Sequence, residues 1–188
     1  MTCKICHLIF VPPQFHLSPA ARRSRYDLHQ NDASDQKYRG FLGLLANPLI
    51  ALLKPGMAGL DFGSGPGPTL SVMLTEAGMK MEIFDKFYAD NFAVFQKQYD
   101  FISASEVFEH LADPQMEIER LWRCLKPNGY LAVMTQMRLA EISFESWRYK
   151  DDDTHLSFFS HDTVRWLTKS LGAELVYLAP NVFILRKA

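Results

Sequence analysis

The chain has 188 residues, 48% hydrophobic and 22% charged, the balance of a globular protein that buries a sizeable core. Its 20 Lys and Arg against 21 Asp and Glu leave a formal charge of −1, without the basic surplus of a protein that lives on nucleic acid. The longest apolar stretch is broken by Asn47, Pro48, Lys54 and Pro55, so no membrane span fits, and 3 cysteines behind an N-terminus without signal-peptide character point to the reducing cytoplasm.

Residues 1–56 read differently from the rest. A short Cys-containing segment and a turn at Pro12-Pro13 come first. Ser18-Pro19, a capping residue followed by Pro at the first helical position, opens a helix running toward Asn31. A second helix is predicted over about 35–53 and stops at Lys54-Pro55-Gly56. From Met57 onward strand and helix patterns alternate. Strands are expected at 57–62, 80–85, 99–104, 129–136, 174–178 and 182–186. Helices are expected at 68–77, from the end of the third of these strands to Leu125, and at 161–171. This alternation specifies an α/β domain with a mostly parallel sheet. Only Ala179-Pro180-Asn181 joins the last two strands, too short for a parallel crossover, so the final strand is antiparallel. The expected division is an N-terminal segment and helical lid over 1–56 and the α/β domain over 57–188.

The turn Asp61-Phe62-Gly63-Ser64-Gly65-Pro66-Gly67-Pro68 lies where a parallel strand feeds a helix, the place where open α/β sheets bind ligands. Gly63, Gly65 and Gly67 let a ligand approach the backbone closely. Pro68 breaks the dinucleotide fingerprint, and the Gly-Lys-Ser/Thr of an ATP-binding loop is absent. Asp61 would repel a pyrophosphate and suits a cationic or zwitterionic ligand.

Asp-x-Gly-x-Gly-x-Gly after the first strand of the domain resembles motif I of the class I S-adenosylmethionine-dependent methyltransferases. The resemblance covers about 57–188 and implies a Rossmann-like sheet with an antiparallel last strand. It places Asp61, Gly63, Ser64, Gly65, Gly67 and Ser105 at the cofactor, and Asp85 where the family's acidic residue holds the ribose hydroxyls. The segment from Tyr99 to Leu111, and Leu-Lys-Pro-Asn-Gly at 125–129, also resemble family landmarks. The chain departs from the pattern after Asp85. Only residues 86–98 precede the next strand, too few for a helix and a strand together. The sheet is therefore trimmed at its third-strand edge, and the family's adenine-binding residue has no counterpart beyond the neighbouring Asp90 and Asn91.

Glu106, Glu109 and His110 are spaced i, i+3, i+4 and would share one face of a helix. Glu-x-x-Glu-His resembles the metal site of ubiquinone-biosynthesis O-methyltransferases and of small-RNA 3′-terminal 2′-O-methyltransferases. His155 is the candidate fourth ligand for Mg²⁺, Mn²⁺ or Zn²⁺, which would lower the pKa of an acceptor hydroxyl. Without a metal, His110 or His155, assisted by Glu109, is the candidate base. The acidic run Asp151-Asp152-Asp153 reads as a solvated turn. Arg25, Tyr26 and His29 on the first helix, and Trp147 and Tyr149 after the strand at 129–136, are candidate acceptor contacts.

Cys3-Lys4-Ile5-Cys6-His7 matches a haem-attachment sequence formally and resembles one knuckle of a zinc ribbon whose other knuckle is missing. We read it as a vestigial β-turn. The expected activity is methyl transfer from S-adenosylmethionine to a small-molecule hydroxyl. RNA ends, protein side chains and a non-catalytic cofactor-binding subunit are the alternatives.

Overall fold

The computed structural model describes residues 1–28 and 31–188. Six strands form the main sheet: β2 (Ala58–Phe62), β3 (Lys80–Phe84), β4 (Tyr99–Ser105), β5 (Leu125–Met134), β7 (Glu174–Leu178) and β8 (Val182–Arg186), in the order β3-β2-β4-β5-β8-β7. The β3, β2, β4 and β5 ladders are parallel, whereas β8 runs antiparallel to both β5 and β7. The expected α/β class and the antiparallel last strand are observed.

Successive residues on the strands serve two cores, because side chains alternate across a sheet. Phe101, Ala132, Met134 and Ile184 face α2 (Gln36–Ile50) and α3 (Thr69–Glu76). Ile102, Leu131, Val133, Phe183 and Leu185 face α4 (Pro114–Arg123) and α5 (His161–Ser170). On α2, Leu42, Leu45, Ala46 and Leu49 repeat at helical spacing and are buried. α1 (Pro19–Tyr26) buries no residue, and its N-terminus is capped by Ser18 accepting from the Ala21 amide.

The sheet ends at β3. The chain after it bridges Asp85 to Ala89 and then makes a 3-10 turn, Phe92–Gln96, with no further strand, so the trimmed edge is real. A small ladder outside the main sheet joins β1 (Ile9–Phe10) to β6 (Ser157–Phe158) antiparallel, pinning the N-terminus beside His155. Sequence patterning missed this ladder because two-residue strands carry no periodicity.

Three expected boundaries shift. α1 stops at Tyr26 rather than near Asn31. β5 begins at Leu125, with residues 126–129 displaced as a bulge in which Asn128 takes φ +63°. The helix expected directly after β4 starts only at Pro114, so Glu106, Glu109 and His110 do not share an α-helical face. The cause is local. Asp113 precedes a proline, which disfavours helical backbone there, and its carboxylate caps the Met116 amide. Upstream, Glu106 takes φ +53° and a 3-10 turn, Phe108–His110, drives Phe108 into the core against Phe159 and Phe183.

Truncating α2 in its core tests this packing. Leu45→Ala is expected to destabilise the chain by about 2–5 kcal/mol, read as a lower urea midpoint at unchanged slope.

Candidate active site

At the carboxyl end of β2 the chain turns through residues 63–68 into α3. Gly63 and Gly65 hold φ of +76° and +66°, where L side chains are strained. A Cβ on Gly63 would lie 2.4 Å from Val107 Cγ2, and one on Gly67 would lie 2.2 Å from the Asn31 carbonyl oxygen. The Gly63 and Ser64 amides both donate to the Phe84 carbonyl, at 2.7 and 3.2 Å. Asp85 holds the turn from the adjacent strand end. Its Oδ2 accepts from the Gly65 amide at 2.9 Å, and its Oδ1 accepts from the Phe87 and Tyr88 amides at 2.8 and 3.2 Å.

Asp61 lies beneath this turn, 3% exposed, and accepts from Ser103 Oγ at 2.9 Å. Burial pushes its carboxyl up to about 7, against the pull of that hydroxyl. Asp61, Ser64, Ser105 and Asp85 all line one cleft of ≈ 940 Å³ with the three glycines. The Ser64 hydroxyl oxygen is buried there without a hydrogen-bond partner. Asp90 and Asn91 are not among the cleft-lining residues, and Asn91 instead caps the 3-10 turn through the Ala93 amide. Phe92 lines the cleft in their place.

At the other end of the cleft stand two histidines and a buried glutamate. Ligand-capable atoms of Glu109, His110 and His155 lie within 4.8 Å of one another. Glu109 is 0% exposed, its carboxylate makes no close hydrogen bond but is approached by the Tyr149 and Thr135 hydroxyls, and His110 Nε2 stands 3.9 Å away. His110 Nδ1 meets the Thr154 carbonyl at 3.0 Å and His155 Nδ1 meets the Tyr149 carbonyl at 2.6 Å. A carbonyl only accepts, so each Nδ1 carries a proton, and a ring in its neutral form keeps its lone pair on Nε2. Burial, and then the charge of His110, hold His155 below the usual imidazole range. Burial pushes both Glu106 and Glu109 up; for Glu106 the charge of Glu109 adds to it. Glu106 lines the cleft but stands outside the three-residue cluster, because its φ of +53° precedes the turn that carries Glu109 and His110.

The acceptor contacts expected from sequence separate. Tyr26 lines the cleft, its ring edge-on to His110 at 5.3 Å between centroids. Arg25 points away to Asp153, in an exposed ion pair of 2.8 Å. Trp147, 4% exposed, packs with Phe144 and Phe158 behind the cleft. Tyr149 packs tilted against His155, ring centroids 4.2 Å apart, and bonds Glu106, so it braces the cluster and is absent from the cleft lining. His29 lies outside the described residues. Two cleft residues escaped the sequence reading. Arg22 lies one helical turn before Tyr26, and Asp152 stands 3.9 Å from His155 Nε2, which a solvated turn did not foretell.

The family model described as a methyltransferase domain matches residues 34–178. The chain belongs to this family. Among curated relatives, ubiquinone biosynthesis O-methyltransferases of Klebsiella pneumoniae and Salmonella paratyphi A are each 28% identical, over 79 and 82 residues. Those matches cover 42% and 44% of this chain, and it spans about a third of the relatives' length, 33% and 34%. Among solved structures, the 1,6-didemethyltoxoflavin-N1-methyltransferase of Burkholderia thailandensis aligns with a TM-score of 0.62 at 14% identity, covering 96% of this chain and 95% of that one. The magnesium protoporphyrin IX methyltransferase of Synechocystis aligns at 0.57 with 14% identity and 93% coverage of both chains. The fold of this family is the class I S-adenosylmethionine-dependent one that motif I announced.

The glycine turn fits that cofactor on structural grounds, since any Cβ at Gly63 or Gly67 would strike protein and an orphaned Ser64 hydroxyl opens on the cleft. Gly63→Ala is expected to weaken S-adenosylhomocysteine binding by at least about tenfold, equivalent to about 1.4 kcal/mol, in a calorimetric titration. Asp61 supplies a pH test. Its folded pKa of about 7 exceeds the usual 3.8, so the folded state holds an extra proton between those values and loses stability as pH rises through them. Asp61→Asn keeps an acceptor for Ser103 without the charge. Its melting temperature, compared with the parent, should rise more at pH 8 than at pH 5.

Proposed function

We propose that the chain methylates a hydroxyl of a small-molecule acceptor from S-adenosylmethionine, beside a divalent ion held by Glu109, His110 and His155. One observation carries the metal reading: a fully buried glutamate without a close hydrogen bond, approached by the Tyr149 and Thr135 hydroxyls, faces two imidazoles whose Nδ1 atoms are both taken up by backbone carbonyls. Burying an ionised carboxylate without a partner is costly, and a bound cation would offset that cost. Two imidazoles and a carboxylate form a donor set suited to Zn²⁺ or Mn²⁺, and Mg²⁺ would take fewer protein ligands and more water. The O-methyltransferase relatives support an oxygen acceptor, and the balanced net charge favours a small molecule over an RNA end.

When bound, the cofactor supplies an electrophilic methyl on a sulfonium, and the ion would lower the pKa of a coordinated hydroxyl. The protein's own residues do the rest. The glycine turn and Asp85 hold the cofactor at the carboxyl edge of the sheet. The Thr154 and Tyr149 carbonyls fix both imidazole orientations, as outer partners of metal-binding histidines do. His155, kept neutral by burial, is free at Nε2 to ligate or to take the hydroxyl proton near pH 7. Tyr26 and the α1 lid close over His110 and exclude water from the transfer.

The test is a calorimetric titration of Mg²⁺, Mn²⁺ and Zn²⁺ into the chain saturated with S-adenosylhomocysteine, beside Glu109→Gln and His110→Ala. Saturable binding lost in both variants is the expected result. Binding that survives them would move the ion to Cys3 and Cys6. No binding at all would leave His155 or His110 as an unassisted base and refute the metal centre.

A further inference from the structure

The cleft carries three long cations, and two are already engaged. Arg120 pairs with Glu117 and stacks on Phe95 at 3.9 Å, while Lys86 rests near the Phe87 ring at 6.0 Å. Arg22 is different. Among the described residues it has no acid beside it, its Nε is buried without a hydrogen-bond partner, and its one bond is a long 3.4 Å contact from Nη1 to the His110 carbonyl. Two acids of the acceptor end already have donors of their own, and Glu109 faces the imidazoles. Asp152 accepts from the Thr154 amide and hydroxyl at 2.9 and 2.6 Å, and Glu106 accepts from Tyr149 at 3.4 Å. A guanidinium half withdrawn from water beside the candidate centre, engaged by that long Nη1 contact, therefore still presents a planar fork of donors. Its natural complement is a carboxylate, bound bidentately. The contact with the His110 carbonyl puts that anion beside the groups that would activate the hydroxyl. Tyr26 adds a flat wall, its ring 5.3 Å from His110 and 5.8 Å from Phe87.

We propose that Arg22 binds a carboxylate of the acceptor, which makes the substrate class a hydroxylated aromatic acid. This rests on the methyl-transfer reading above and names the acceptor for that same site. α1 is thereby a specificity element as well as a lid, and the fork serves only while α1 is docked.

The probes are 3,4-dihydroxybenzoate and catechol, which differ by one carboxylate, titrated calorimetrically into the full chain saturated with S-adenosylhomocysteine. The unmodified chain is expected to bind 3,4-dihydroxybenzoate at least about tenfold more tightly than catechol, as a charge-assisted pair supplies. Arg22→Gln should abolish that preference, and Arg22→Lys, which keeps the charge but not the fork, should retain part of it. Unfolding curves matching the parent show that neither variant acts through stability. Equal affinities in the unmodified chain, binding of neither probe, or a preference that survives Arg22→Gln would each overturn the proposal. A tenfold loss of S-adenosylhomocysteine affinity in Arg22→Gln would overturn it too, by assigning the fork to the cofactor's own carboxylate. Methyl transfer from labelled S-adenosylmethionine to either probe is scored separately. A preserved carboxylate preference without transfer would refute the catalytic reading and leave the Arg22 assignment standing.

Discussion

The hydrogen bond from the Leu156 amide to the Glu109 carbonyl, 2.6 Å long, joins the two chain segments on which the candidate site depends. One segment is the 3-10 turn after β4 and the other is the approach to β6. Ser157 Oγ reinforces the seam by donating to the Leu111 carbonyl at 3.0 Å, and His110 Nδ1 adds a third tie to Thr154. Phe108 anchors the turn from below, fully buried against Phe159 and Phe183. With backbone and core both committed, Glu109 has nowhere to turn but inward toward the two imidazoles. The cluster is thus a consequence of how the turn packs.

The cofactor end of the cleft is built on a different constraint. Parallel strands β2, β3 and β4 end together, and their final carbonyls and carboxylates organise the glycine turn before any ligand arrives. Asp85 accepts three amides and so braces the turn from the end of the neighbouring strand. Asp61 works one layer deeper. Its pairing with Ser103 ties β2 to β4 directly beneath the glycines, at the cost of a carboxyl that resists ionisation.

The N-terminal segment closes the cleft by small polar latches rather than by a core. Asn31 accepts from Thr69 Oγ1 at 3.0 Å, Tyr88 donates to Asp27 at 2.6 Å, and Arg25 pairs with Asp153. α1 buries no residue, and the exposed Tyr88–Asp27 and Arg25–Asp153 bonds hold its C-terminal end weakly. α2 is the opposite case, since its apolar stripe belongs to the same core as the sheet. The β1–β6 ladder sets the start of the chain against the strand that follows His155, so the N-terminal segment is tethered from both ends.

The sequence by itself determined the elements whose information is local. The glycine turn announced itself through residues that alone tolerate its backbone, and the trimmed sheet edge through simple length. The antiparallel last strand followed from a connection too short to cross over. Tertiary structure decided what depends on contacts between distant segments. An i, i+3, i+4 spacing suggested a shared helical face, but Pro114 delays the helix and burial of Phe108 bends the chain into a 3-10 turn instead. Glu109, His110 and His155 still converge, through a backbone bond that no pattern encodes, while Glu106 drops out of the set. On the first helix the sequence singled out Arg25 as an acceptor contact. Arg25 instead pairs with Asp153 on the surface, and Arg22 lines the cleft beside the His110 carbonyl, contacts to distant segments that no local pattern encodes.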